Sequence, residues 1–271
     1  MEDERWLGGF LGFLGRWFKD WLYRRMDQAA LAGRLVLVTH RGIFAPLTQR
    51  RLFRRLVLTQ VFEIFRRSAF LLSIFGLMMG ILWTIIWFDV LDNVPGSTML
   101  AGLLISVHLQ EITPILTTMV IIMSYCGPMA QEVAFMKCHG DFKTLTLMGI
   151  PPERALAQPR ILAIILAFPG LMLIINLTSM LGAFWGITQA IDLPVVEYVS
   201  DLFLALEPYK ILLLLVKVLL TSSVLAFYCL YNAFRIEMGD FRRLPTVTRS
   251  AMTDAFFYGT LAGVLVTVFY A

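Results

Sequence analysis

Two charged residues stand inside sequence that otherwise suits lipid. Lys217 falls within the apolar run Tyr209 to Phe234, and Glu111 interrupts another at HLQEITP (108–114). A charge among lipid tails is costly, so such residues face a polar cavity or pair with an opposite charge. Lys210 can extend its ammonium to the outer interface. Lys217, two helical turns further in, lies about 10 Å deeper by helix rise. It is therefore expected to face a polar cavity or a carboxylate, with Glu111 the nearest partner by depth. An anionic phospholipid headgroup would serve equally well, and a purely structural pairing of helices is the competing reading. Glu132, near the end of an apolar run, is expected to fix a helix end or loop rather than touch a substrate.

A second polar feature is the stretch KCHGDFKTLTLMGIPPERALAQPR (Lys137 to Arg160), compact and basic between two apolar runs. Cys138-His139 has no second Cys/His pair to complete four metal ligands, and Cys126, Cys138 and Cys229 are widely separated. The chain contains no GxxxxGK(S/T) loop, so ATP hydrolysis is not expected of it alone. No Ser/His/Asp or paired-carboxylate constellation stands out in a polar region, which makes an enzyme the weaker reading. The net charge of only +4 argues against a nucleic-acid binder.

The elements that must position these charges are membrane helices. Of 271 residues, 58% are hydrophobic and 15% charged, and the mean hydropathy is +0.75; a soluble domain has roughly 45–50% and 25%. A crossing needs about 20 mostly apolar residues. Ser68 to Phe88 supplies the first. Ser97 to Ala134 is too long for one helix and reads as a short segment dipping into the outer leaflet, then a crossing from Ile112 to Ala134. Ile161 to Ile191 is long enough to tilt and contains Pro169, a kink signal. Tyr209 to Phe234 and Ala251 to Tyr270 complete an all-α, five-crossing protein.

Basic residues orient it. Residues 50–67 hold six Arg, 137–160 hold Lys137, Lys143, Arg154 and Arg160, and 235–249 hold Arg235, Arg242, Arg243 and Arg249. The gaps 89–111 and 192–208 hold acids but no Lys or Arg. The positive-inside rule makes every basic gap cytoplasmic, with the N-terminus inside and the C-terminus outside. The MEDER opening is acidic and Gly8, Gly9 and Gly12 break any apolar stretch, so a secretory signal is not expected. Trp6, Phe10, Phe13, Trp17 and Trp21 instead make one helical face, with Arg16, Lys19, Arg24 and Arg25 largely off it, as in a helix lying at the interface. Residues 1–67 thus read as interfacial helices and 68–271 as the membrane domain. Within 137–160, Phe142, Leu145, Met148 and Gly149 mark a short amphipathic helix ended by Gly149, Pro151 and Pro152.

The run QEITPILTTMVIIMSYCGPMAQEVAFMKCHGDFKTLTLMGIPP resembles the signature region of MlaE/YrbE-type permeases, membrane subunits of ABC lipid transporters that work with MCE-domain proteins. That family reads R-E-(L/I)-G-P, then R-A-G, then A-E-(L/I)-G-x-M-(R/K)-(V/A)-T-E-Q, then M-G-V-(D/N)-P. Glu111 and Pro114 match the first element, Glu132 and Met136-Lys137 the third, and Met148, Gly149 and Pro152 the last. PTVTRSAM (245–252) is similar to the family's R-A-T-T-R-x-V-V, and Lys217 falls where the family carries a lysine. The resemblance runs from about residue 55 to the end.

The resemblance implies a coupling helix at 137–149 that docks on a separate ATPase through Lys137, Asp141, Phe142, Lys143 and Leu145. It implies a second permease subunit, a lipid-binding cavity between the two, and a periplasmic MCE-domain partner; Glu111 and Lys217 are the intramembrane charges expected on that lipid path. ATP and Mg would sit on the ATPase, with no cofactor on this chain, and the location would be a bacterial inner membrane. Two departures stand out. R-A-G is Ser124-Tyr125-Cys126, and T-E-Q is His139-Gly140-Asp141, where a glycine inside a helix costs about 1 kcal/mol against Ala. They favour a heteromer in which a non-identical permease carries the standard helix. A non-transporting membrane scaffold is the alternative from another class.

Overall fold

The computed structural model describes residues 47–91, 104–190, 196, 200 and 208–270. The aromatic face at 6–21 and most of the two acidic gaps lie outside the described residues. Among the described residues five helices are long and apolar enough to cross a membrane: Phe53–Ile86, Val107–His139, Glu153–Thr188, Tyr209–Phe234 and Phe241–Phe269. All regular structure among them is helical.

The first crossing belongs to α1 (Leu47–Leu91), 45 residues long. At 1.5 Å per residue it spans about 68 Å, twice the hydrocarbon thickness. The basic segment 50–67 and the crossing that follows it are one helix, so no break marks the expected boundary at 67. The second crossing is assembled from α2 (Thr113–Ile121) and α3 (Gly127–His139), each entered through a π-helical stretch, Leu104–Ile112 and Ile122–Cys126. A third π-helical stretch, Glu153–Ala157, leads into α5 (Gln158–Ala190). Each of these stretches ends two residues before a proline: Pro114, Pro128 or Pro159. Proline has no N–H and its ring clashes with the carbonyl one turn back, so a wider turn ahead of it relieves both problems. Pro169, by contrast, lies within α5 without interrupting it.

The short helix α4 (Asp141–Leu147) follows α3 after a single residue, Gly140, at φ +96°. The 137–149 helix expected from sequence is thus two pieces. Lys137 lies in the last turn of α3, and only 141–147 form the separate helix. The left-handed conformation is one that glycine adopts without strain, so Gly140 makes the corner rather than weakening a helix. α6 (Pro208–Phe234) and α7 (Leu244–Tyr270) complete the bundle.

Helix α5 sits at the centre, with Ile164, Phe168, Leu171 and Ile175 fully buried. Its outer half packs closely on α1. A Cβ added at Gly182 would lie 2.2 Å from the Leu77 carbonyl oxygen, and one at Gly80 would lie 2.0 Å from that of Ser179. Backbones at that separation are the close-packing geometry of small-residue helix pairs in lipid. The spacing of Gly182 and Gly186 signals it in the sequence, and Gly76 and Gly80 on α1 are its other half.

Candidate membrane cleft and its root

The deep lysine is paired. Lys217 Nζ on α6 donates to Glu111 Oε2 at 2.7 Å, to Thr267 Oγ1 at 2.8 Å and to the Gln110 carbonyl at 2.9 Å. Thr267 Oγ1 in turn donates to Glu111 Oε1 at 2.9 Å, closing a three-residue ring. All three ammonium protons are therefore used, and both carboxylate oxygens accept. A satisfied network of this kind is the form in which charge survives in a low-dielectric interior. The Lys217 side chain is 7% exposed and that of Glu111 33%, so the carboxylate faces the opening.

That opening is a narrow cleft with free space of about 10 Å³ between the second, fourth and fifth crossings, lined by Glu111, Pro114, Lys217, Thr221, Gly259 and Gly263. Gly263 lies against Thr221, whose Oγ1 is buried with no hydrogen-bond partner. Glycines on α7 keep this wall low. The free space is about what one water needs, so a lipid headgroup enters only if the helices part. Near the other end of α7 a wider cleft of about 510 Å³ is lined by Gln131, Pro245, Thr248, Arg249, Met252 and Thr253. The motif PTVTRSAM thus forms one wall of it. Arg249 and Thr267 are 18 residues apart on α7, about 27 Å by helix rise, close to the thickness of a hydrocarbon core.

The remaining sequence-selected residues divide. Glu132 accepts from Arg160 Nη2 at 2.9 Å, with the arginine side chain 8% exposed, and so ties the end of the second crossing to the start of the third. Asp141 and Lys143 are exposed on α4, Leu145 is half-buried, and Asp141 Oδ1 lies 3.8 Å from His139 Nδ1. No residue of α4 is buried. Leu147 at its end and Met148 just beyond are 80% and 67% exposed, an apolar tip. Phe142 turns inward, its ring 5.1 Å from that of Phe234. Lys137 does not join this surface. Its Nζ donates to the Phe234 carbonyl at the end of α6, inside the chain.

Several polar partners were not selected from sequence. Thr267 is one; a hydroxyl in an apolar crossing is common and usually bonds its own helix, so its type gives little signal. Ser124, in the departed R-A-G position, bonds Ser68 Oγ at 2.6 Å and joins the first two crossings. Asn232 donates to Asp254 Oδ2 at 2.9 Å between α6 and α7, and His108 Nε2 meets Ser179 Oγ. Asp254 and Asn232 are lone strong polar groups within apolar runs, a signal the sequence did carry. Among the described residues no group of His, Cys, Asp and Glu is arranged to hold a metal.

Comparison with known proteins places these features in a family. The model of the family described as Permease MlaE matches residues 57–269. The chain is 22% identical over 158 residues to a Rickettsia prowazekii protein described as a probable ABC transporter permease protein, and equally so to counterparts in Rickettsia felis and Rickettsia conorii. Those alignments cover 58% of this chain and 61% of each relative, so the match spans less than two thirds of the relatives' length. With the family match running from the first crossing to the last, the chain is a multi-pass membrane protein that belongs to the MlaE permease family.

Proposed function

We propose that the chain is the permease subunit of an ABC-type, MCE-associated transporter that moves phospholipids or other hydrophobic lipids across or out of a bacterial inner membrane. A separate ATPase subunit, with its ATP and Mg, supplies the energy. The observation that carries this reading is the Lys217–Glu111–Thr267 ring at the wall of a membrane-embedded cleft. A purely structural ion pair would need no opening beside it. Here the carboxylate faces the cleft, Thr221 adds an unused hydroxyl, and glycines leave room for the helices to part. An anionic headgroup entering the cleft would take over donors of Lys217 that now hold Glu111. The second cleft, on the same pair of crossings about 19 Å away along α7 by helix rise, provides a basic residue, Arg249, toward the other end of that helix.

The charge pattern orients the protein with basic connections and N-terminus inside and the C-terminus in the periplasm. The ATPase then meets α4 and its exposed tip, and the MCE-domain protein meets the opposite face. A second permease subunit completes the cavity. The heteromer is supported by the divergent Ser124-Tyr125-Cys126; Gly140 no longer supports it, since it makes the corner that α4 needs. The test is ATP-dependent transfer of a fluorescent phospholipid by the reconstituted complex. Lys217→Met should reduce transfer about ten-fold or more, the scale of one lost charge-assisted contact, with subunit assembly retained. Undiminished transfer by an assembled variant would show that the ring is only structural.

A further inference from the structure

The cytoplasmic end of the second crossing is bonded to the connection between the fourth and fifth crossings. Lys137 Nζ donates to the Phe234 carbonyl, Cys138 Sγ lies 3.6 Å from the Glu237 carbonyl, and the Gly239 N–H donates to the Cys138 carbonyl at 3.2 Å. Gly239 reaches that position at φ +83° with nothing within 4 Å of its missing Cβ, a turn conformation suited to glycine. Two ring pairs flank these bonds: Phe142 with Phe234 at 5.1 Å and Phe135 with Phe241 at 6.0 Å. Ile236, within the same connection, is 3% exposed. On the other side of Gly140, α4 buries none of its residues.

Force applied to α4 therefore leaves it through its root and the Phe142–Phe234 contact beside it. The backbone leads one way into α3, and the three bonds lead the other way into the end of α6 and the turn before α7. Those two helices carry Lys217 and Thr267 and form the walls of the narrow cleft. α3 itself continues toward Glu111. All three members of the ring are thus mechanically downstream of one small cluster. The ammonium at its centre suits the task, because the last carbonyls of a helix lack intrahelical donors and a cation there is favoured by the helix dipole. A lysine meant for an ATPase surface would instead stand free, as Lys143 does on α4.

Resting on the permease reading above, we propose that Lys137 is a positioning residue, the centre of a latch that keeps the root of α4 joined to the α6–α7 connection throughout the transport cycle. It transmits displacement of α4 to the cleft and does not contact the ATPase. The latch is a rigid link, so it must hold in every state.

The test uses the full complex with its ATPase, reading phospholipid transferred per ATP hydrolysed alongside co-purification of the subunits. Wild type first establishes transfer; its absence there would remove the permease reading itself, not the latch. Lys137→Met is expected to lower transfer per ATP about ten-fold while the ATPase still co-purifies, and Lys137→Arg, which can still donate to the Phe234 carbonyl, is expected to restore most of it. Loss of the ATPase from the Lys137→Met complex would make Lys137 a docking contact and overturn the proposal, as would an unchanged ratio. If the Met variant does not accumulate in membranes, Glu237→Cys decides: its disulfide with native Cys138 should leave transfer intact, because a rigid link tolerates being locked. Arrest by that cross-link, reversed on reduction, would show that the two elements separate during the cycle.

Discussion

The ion pair of Lys217 and Glu111 matters most for what its disruption leaves behind. Removing one member of a buried pair strands the other charge, at a cost of about 3–5 kcal/mol, whereas removing both is often close to neutral. Lys217→Leu should accordingly lower the thermal unfolding temperature in detergent, and Glu111→Gln should do so less because that carboxylate is partly exposed. The double variant should be more stable than the sum of the two losses implies, a non-additivity that defines direct coupling. Strict additivity would mean the ring is not formed in the membrane. These two residues were readable from sequence because isolated charges in apolar runs have few places to go. Thr267 was not, since a hydroxyl satisfied by its own helix and one shared with a lysine look alike. The bond of Lys137 to the Phe234 carbonyl was not legible for a related reason: a basic residue at the end of a crossing suits both docking and the capping of a neighbouring helix.

At the scale of elements, two close structures carry predictions. Gly140 turns the chain from α3 into α4 at φ +96° with nothing within 4 Å of a Cβ position, so the cost of a side chain there is conformational alone. Gly140→Ala should cost about 1 kcal/mol or more and reorient α4, so ATPase co-purification should fall while the permease itself stays folded. Asp141→Ala and Lys143→Ala, both on exposed positions, should weaken ATPase binding with unfolding temperature unchanged. Gly182→Leu meets the Leu77 backbone instead and should destabilise by about 3 kcal/mol or more, at or beyond the upper end for overpacking, which a thermal melt would read directly. The five crossings were legible because long apolar runs, unlike short amphipathic ones, admit one interpretation. The continuity of α1 through 67 was not, because a basic face followed by an apolar run is the pattern of both a bent and a straight helix. The π-helical stretches escaped because a proline in sequence marks a disturbance without saying whether the helix kinks, stops or widens.

At the scale of the whole molecule, the orientation proposed from the charge pattern carries its own test. Cysteines introduced at Asp92 and Glu197 should react with a membrane-impermeant reagent only from the periplasmic side, and one at Arg242 only from the cytoplasmic side. Cytoplasmic labelling at 197 would break the five-crossing topology. Intact mass of the native assembly would then count the permease chains, and two identical copies would end the heteromer reading. The central claim, that lipid occupies the cleft beside Lys217 during ATP-driven transport, has a more direct test. A photoactivatable residue is placed at Val264, on the cleft wall, and in a separate protein at Leu166, 60% exposed on α5. Both complexes are illuminated during turnover in labelled phospholipid. Cross-linking at 264 should rise or fall with nucleotide state and weaken in Lys217→Met, while cross-linking at 166 stays constant. Equal labelling at both positions, indifferent to nucleotide and to Lys217, would contradict the account.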